Sequence, residues 1–223
     1  MTDYQHINYL KQLIIDAGMQ LLEKGLVSRT FGNISIRLND EQMLITPSGR
    51  KYDDLRLSDI VAVNIHSGGF TGKIHPSSEY KLHAAIYTNR PEINAIIHTH
   101  QQNASTISVA RKTLPSILDD QAQLIGEDVR VAEYADSSSD KLVENVVRAI
   151  ENRMAAMMAN HGAICIGRDI EEAFVVSQVL EKAAKAFIEA SFIGGAKAID
   201  RNNAIKLHRE YQGNYSAEAR KNR

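Results

Sequence analysis

Two histidines stand two residues apart in the run Ile96-Ile97-His98-Thr99-His100, which has the apolar character of a β-strand. Side chains alternate between the two faces of a strand, so both imidazoles point the same way, close enough to share one ion. The apolar residues ahead of them would bury the pair, and buried neutral histidines with nothing to bind are poorly satisfied. The spacing therefore favours a metal site, although a single His-x-His motif is a modest signal.

Other residues could complete such a site. His161 lies in a polar turn between two apolar runs, and Glu79 stands near a predicted helix start. Three imidazoles and one carboxylate are typical ligands of zinc or another first-row divalent ion. Three further histidines remain as rival ligands, and the residue pattern alone does not choose among them: His66, His75 and His83.

Four short segments have the composition of phosphate-binding loops, being rich in glycine and hydroxyl residues. Small residues let backbone N–H groups approach a phosphate, hydroxyl groups donate to it, and a helix N-terminus attracts its charge. Ser77-Ser78 meets the last condition directly, but each segment taken singly could be a plain turn. The segments are Thr30-Phe31-Gly32-Asn33, Thr46-Pro47-Ser48-Gly49, Gly68-Gly69 and Ser77-Ser78. The sequence contains neither a Walker-type nor a G-x-G-x-x-G motif, so nucleotide binding is not supported.

The elements that must position these residues alternate between helices and short strands. Apolar residues at three- and four-residue steps from Ile7 to Leu21 predict a helix that ends at Gly25. Because the early strands are short and joined by turns, we expect a mixed or antiparallel sheet flanked by helices. One further helix is predicted to start within 76–79 and to end before residue 91, and others are predicted over 103–110, 139–151 and about 170–193. Strands are predicted over 33–37, 43–45, 60–65, 95–100, 155–158 and 163–166.

Length and charge restrict the possible classes of protein. The 223 residues, without a break in composition, predict a single domain over 1–200, followed by a polar tail over 201–223 that either frays or docks on a neighbouring subunit. A formal net charge of −1 gives no basis for nucleic-acid binding. No apolar run approaches the roughly 20 residues that cross a bilayer, so no membrane association is expected.

The N-terminal residues and the single cysteine bear on location. Met1 to His6 lack the layout of a signal peptide. Cys165 lies in an apolar stretch and is expected to be a buried, inert thiol. Both features predict a cytoplasmic protein.

Five motifs, taken in their order along the chain, resemble the class II aldolase/adducin family. Each is weak alone, but the ordered set is specific and the match runs from about Ile7 to Ile193. The family includes L-fuculose-1-phosphate aldolase, L-rhamnulose-1-phosphate aldolase and L-ribulose-5-phosphate 4-epimerase. The motifs are Gly32-Asn33-Ile34-Ser35, Thr46-Pro47-Ser48-Gly49, Pro76-Ser77-Ser78-Glu79, His98-Thr99-His100 and Asn160-His161-Gly162.

The resemblance implies a three-layer α/β/α fold around a largely antiparallel central sheet, usually in a C4-symmetric homotetramer with active sites between subunits. It implies zinc, or a related ion such as Mn²⁺ or Co²⁺, held by His98, His100 and His161, with Glu79 both at the metal and acting as acid/base. His83 matches no ligand of the family. The residues expected to hold a substrate phosphate are Gly32, Asn33, Ser48, Gly49, Ser77 and Ser78.

The activity that the resemblance implies is cleavage of a ketose phosphate to dihydroxyacetone phosphate and a small aldehyde, through a metal-stabilised enediolate. The aldolase pattern places a tyrosine proton donor shortly after an Ile/Leu-Pro pair. Here Leu114-Pro115 is followed at that place by Asp119, so Asp119 or Asp120 is expected to serve as the second acid/base.

Alternatives to the aldolase remain open. Glu79 favours an aldolase because the epimerases of the family typically carry aspartate at this position. The acidic pair Asp119-Asp120 keeps open a pentulose-phosphate 4-epimerase, or a dehydratase or decarboxylase on the same scaffold. An adducin-like binding module is disfavoured, since it would be expected to lose the metal ligands, which are complete here.

Overall fold

A seven-stranded sheet forms the centre of the computed structural model, which describes residues 3–215. The strands are β1 (Asn33–Arg37), β2 (Gln42–Ile45), β3 (Val61–Asn64), β4 (Ala95–Thr99), β7 (Val131–Ala132), β8 (Ala155–Met158) and β9 (Gly162–Gly167). Their spatial order is β3-β2-β1-β4-β9-β8-β7. Only the short edge pair β7–β8 is parallel within this sheet. A separate pair consists of β5 (Leu114–Pro115) and β6 (Asp128–Val129).

Helices cover both faces of the sheet, which confirms the expected α/β/α layers and largely antiparallel sheet. They are α1 (Asp3–Glu23), α2 (Tyr80–Asn89), α3 (Gln102–Val109), α4 (Asp119–Leu124), α5 (Asp140–Ile150), α6 (Ile170–Ala190) and α7 (Arg201–Glu210). None of these helices, within residues 3–215, has the length and apolar character needed to span a membrane.

The alternation of side chains along β4 divides the core into two clusters. Ala95 and Ile97 pack with the buried face of α1, whereas Ile96 packs with α2 on the opposite side. His98 follows Ile97, so it points to the same side of the sheet as Ile96 and α2. The strand pattern that buries the core thus also aims His98 toward the start of α2.

Two further predictions from the sequence are confirmed in the fold. Helix α1 ends where expected, because Gly25 takes a left-handed conformation and Leu26 N–H donates to the Leu21 carbonyl, as in a Schellman cap. Cys165 is fully buried on β9, and burial raises the pKa of its thiol, as expected for an inert cysteine.

The chain after Asp200 differs from the expected tail. As far as the described residues reach, it forms α7 and one turn of π-helix, Tyr211–Tyr215, and docks on its own chain. Asp200 caps α7, Ala204 is buried, and His208 Nδ1 lies 2.8 Å from the Gln123 carbonyl oxygen of α4. The face of α7 that packs on the domain is too narrow to produce a helical pattern in the sequence. Residues 216–223 and the Tyr215 side chain lie outside the described part.

Candidate metal centre

The ends of neighbouring strands bring the three predicted histidines together. His98 is on β4 and His100 directly follows that strand, while His161 precedes β9, which pairs antiparallel with β4. One ring nitrogen from each imidazole lies within 4.8 Å of the others. The ring centroids are 4.7 Å apart for His98 and His100, 4.9 Å for His98 and His161, and 5.1 Å for His100 and His161.

Glu79 joins this cluster from the N-cap of α2, near the helix start that the sequence predicted. Its Oε2 accepts a hydrogen bond of 2.9 Å from Asn33 Nδ2 and lies 3.2 Å from His98 Nε2. Its Oε1 lies 3.5 Å from His161 Nε2 and has no hydrogen-bond partner among the described residues. Burial would raise the pKa of this carboxyl, but His98, His161 and the Asn33 hydrogen bond outweigh it and lower the pKa.

Hydrogen bonding and burial orient the three imidazoles toward one another. His98 Nδ1 lies 2.9 Å from the Ala163 carbonyl oxygen, which can only accept, so Nδ1 donates there and Nε2 is the ring atom that faces the cluster. That Nε2 lies 2.9 Å from His100 Nε2. Burial, followed by the proximity of the His98 and His161 rings, lowers the pKa of His100 to about 3, and burial lowers the pKa of His161. Three imidazoles beside a carboxylate oxygen that has no hydrogen-bond partner among the described residues fit a divalent ion.

Two glycines allow the chain to approach the end of β4. A Cβ atom on Gly162 would lie 2.2 Å from the Thr99 carbonyl oxygen and 3.2 Å from His98 Cε1. A Cβ atom on Gly32 would lie 2.5 Å from the His98 carbonyl oxygen, and Gly32 also has a positive φ of 81°. Both glycines belong to the sequence motifs, but only the structure shows that each packs against the end of β4.

His83 lies one turn after Glu79 in a buried polar network. Its Nδ1 is 2.7 Å from Ser35 Oγ, which in turn is 2.8 Å from Tyr87 Oη. Burial lowers the pKa of His83 to about 3, so the ring is neutral. Its nitrogens are not part of the three-histidine cluster.

The two remaining rival histidines lie in other parts of the fold. His66 Nε2 is 3.2 Å from the Asp40 carbonyl oxygen in an exposed turn. His75 packs edge-on against Phe70.

Three of the four glycine- and hydroxyl-rich segments meet beside Glu79. Ser77 N–H donates to the Thr46 carbonyl, Ser48 N–H donates to the His75 carbonyl, and Ile34 N–H donates to Thr46 Oγ1. Ser77 Oγ accepts from Glu79 N–H at 3.3 Å. These contacts place side by side the three segments that contain the residues expected to hold a phosphate: Gly32, Asn33, Ser48, Gly49, Ser77 and Ser78. Gly68-Gly69 instead forms the turn after β3, where Asn64 N–H donates to the Gly69 carbonyl.

The two aspartates proposed from the sequence lie apart from this cluster. Asp119 is exposed in the first turn of α4, and Asp120 pairs with Lys182 of α6. Within the described part of a single chain, neither carboxylate contacts Glu79 or the three histidines.

The fold and the cluster together define an α/β/α protein with three clustered histidines, and Glu79 beside them, at the ends of β4 and β9. Residues 12–188 match the family described as Class II Aldolase and Adducin N-terminal domain. The chain therefore belongs to this family, as its motifs predicted.

Several relatives of this chain are named as aldolases. The chain is 32% identical over 208 residues to the 5-deoxy-D-ribulose 1-phosphate aldolase of Bacillus thuringiensis serovar kurstaki, covering 91% of this chain and 95% of that protein. It is 34% identical over 181 residues to the L-fuculose phosphate aldolase of Escherichia coli K12, covering 81% and 83%. A solved L-fuculose 1-phosphate aldolase structure superposes with a TM-score of 0.87 at 33% identity, covering 91% of this chain and 96% of that one. These relatives confirm the expected enzyme class, a lyase of the class II aldolase kind.

Proposed function

We propose that this chain is a metal-dependent aldolase that cleaves a ketose 1-phosphate to dihydroxyacetone phosphate and a small aldehyde. The observation that carries the proposal is the convergence of the Glu79 carboxylate with the three imidazoles. The names of the relatives support the substrate class. A cytoplasmic location and a homotetramer belong to the same proposal.

His98, His100, His161 and Glu79 would hold the ion. Nitrogen-rich sets with one carboxylate suit Zn²⁺, and also Mn²⁺ or Co²⁺. The chemistry supplied by such an ion is Lewis-acid polarisation of the substrate carbonyl.

Glu79 would also move the proton. Asn33 engages Oε2, which leaves Oε1 as the atom that can accept or return a proton. The lowered pKa of the carboxyl keeps it ionised at neutral pH, as a base requires. Its position at the N-cap of α2 fixes the backbone that carries it.

The substrate phosphate would bind where the three loop segments meet. Ser77 and Ser78 precede Glu79, the N-cap of α2, and the dipole of that helix favours an anion near its start. Gly32, Asn33, Ser48 and Gly49 approach the same place from β1 and from the turn after β2. A phosphate held there would set the register of the sugar, so that the bond to be broken lies beside Glu79.

Asp119 or Asp120 would act as the second acid/base from a neighbouring subunit. Neither carboxylate reaches the centre of its own chain, as described above, so a contribution to catalysis requires a homotetramer with active sites between subunits. Exposed Asp119 at the start of α4 is placed where a neighbour could approach it.

A substrate screen tests the proposal. Metal-loaded protein is incubated with L-fuculose 1-phosphate, 5-deoxy-D-ribulose 1-phosphate and L-ribulose 5-phosphate, and release of dihydroxyacetone phosphate is followed with a coupled NADH-dependent reductase. We expect release from at least one ketose 1-phosphate and its loss in Glu79→Gln, which keeps the size of the side chain but removes its charge. Isomerised pentulose phosphate without any dihydroxyacetone phosphate would contradict the aldolase and favour the epimerase.

A further inference from the structure

An arginine occupies the position that ends α3, where glycine is usual. Arg111 has a φ of 56°, in the left-handed region. Its N–H donates to the Ser108 carbonyl and Lys112 N–H donates to the Ile107 carbonyl, the two hydrogen bonds of a Schellman cap. Glycine is favoured at this position because a side chain opposes the left-handed conformation. The Arg111 side chain therefore has contacts that offset an unfavourable backbone.

Those contacts link α3 to the turn that carries His161. Arg111 Nη1 donates to the Ser108 and Val109 carbonyls at 2.9 and 3.2 Å, which anchors the guanidinium at the end of its own helix. Arg111 Nη2 donates to the side-chain oxygen of Asn160, the residue immediately before His161. Asn160 is itself left-handed, with a φ of 56°. Two left-handed residues are thus joined through one guanidinium.

The position of the His161 imidazole depends on this turn, whereas other contacts fix the imidazoles of His98 and His100. His98 lies within β4 and its Nδ1 is fixed by the Ala163 carbonyl. The ring of His100 stacks on Phe31, with centroids 5.5 Å apart. His161 reaches the cluster from a short turn, closed by its own N–H donating to the Met158 carbonyl.

We propose that Arg111 is a positioning residue: its hydrogen bond to Asn160, called the clasp below, holds the His161 imidazole in place for the ion. This inference rests on the proposed function, because it assigns Arg111 to the same metal centre. Groups that orient a metal ligand from outside the coordination sphere typically change metal affinity by about 10- to 100-fold when removed. Since Arg111 and Asn160 are both exposed, we expect the lower end of that range.

Four variants and one control test the clasp. Arg111→Met keeps the aliphatic stem and removes the donors. Asn160→Gly permits the left-handed turn but removes the acceptor. The double variant combines both changes, and Arg111→Lys retains the charge and a single donor group in place of the guanidinium fork. Arg209→Met, which replaces an exposed arginine on α7, is the control.

Dissociation constants for Zn²⁺ are measured by chelator competition on folded protein, alongside the visible absorption of the Co²⁺-loaded form and the thermal midpoint. We expect Arg111→Met and Asn160→Gly each to weaken Zn²⁺ binding by about 10-fold and to alter the Co²⁺ spectrum. The double variant should lose no more than either single one, because both remove the same bond. Arg111→Lys should recover part of the affinity, and Arg209→Met should match the wild type.

Unchanged Zn²⁺ affinity in both single variants would overturn the clasp, even if their thermal midpoints fall, because a purely structural bond would behave in that way. Additive losses in the double variant would also overturn it. Wild-type protein that binds no divalent ion would overturn the metal centre together with this inference. Wild-type binding with unaffected variants would overturn the clasp alone.

Discussion

Replacing Gly162 with alanine tests how closely β9 must approach β4 beside the metal centre. The added Cβ would lie 2.2 Å from the Thr99 carbonyl oxygen and 3.2 Å from the Thr99 carbonyl carbon, whereas ordinary contacts of a Cβ atom begin at 3.4 Å. No positive φ complicates the change, so its effect is steric. The Thr99 carbonyl oxygen, with which the new Cβ would clash, belongs to the backbone of β4 and cannot rotate away.

The expected cost follows from that geometry. The two strands would have to separate by about 1 Å, and forcing one extra carbon into a well-packed site costs about 1–3 kcal/mol. We expect the upper end, about 3 kcal/mol of unfolding free energy, because no flexible side chain can yield. Thr99 lies between His98 and His100, so the same shift should weaken binding of Zn²⁺ by about 10-fold or more.

The assay is urea-induced unfolding of the metal-free protein, followed by chelator competition for Zn²⁺. The matched control is Gly213→Ala, because a Cβ there would meet nothing within 4 Å; its effect should stay within about 0.5 kcal/mol. If Gly162→Ala unfolds like this control and binds Zn²⁺ like the wild type, the tight approach of β9 to β4 is refuted.

Three further predictions concern other parts of the centre and the core. Glu79→Gln should lower the rate of dihydroxyacetone phosphate release by about 10²- to 10⁴-fold, the usual effect of losing an acid/base group, in steady-state assays; a rate near wild type would exclude Glu79 as the base. Ser35→Ala removes the hydroxyl between His83 and Tyr87 and should cost about 1–3 kcal/mol in urea unfolding without changing Zn²⁺ stoichiometry; loss of the ion would place this network in the metal site instead. Cys165 should resist an aromatic disulfide reagent in native protein and react fully in urea, because burial raises the pKa of its thiol; fast native labelling would contradict its burial.

Much of this fold could be predicted from the sequence because its main elements bury continuous apolar patterns. β1 begins and ends as predicted at Asn33 and Arg37, and α1 ends at a glycine whose left-handed conformation a helix end commonly requires. The short elements could not be predicted. α4 has six residues and α7 has one fully buried side chain, so neither shows a helical period that stands out from a loop.

Part of the candidate site could likewise be predicted from local sequence patterns, and part could not. His98 and His100 could be paired from the two-residue period of a strand, which is a local property of the chain. His161 and Glu79 reach His98 and His100 only because of the order of the strands and the position where α2 begins. No local sequence pattern contains that information, so only the family motifs indicated that the four residues belong together. The Arg111–Asn160 contact joins residues far apart in sequence, and no periodicity relates them.

The metal content of purified protein tests the central claim most directly. Wild-type chain and His98→Ala are purified without chelator, and divalent ions are counted by inductively coupled plasma mass spectrometry. The proposed centre predicts about one ion per wild-type chain and its loss in the variant, because His98 lies closest to both His100 and Glu79. One ion per chain retained by a folded His98→Ala variant would contradict the assignment of the site.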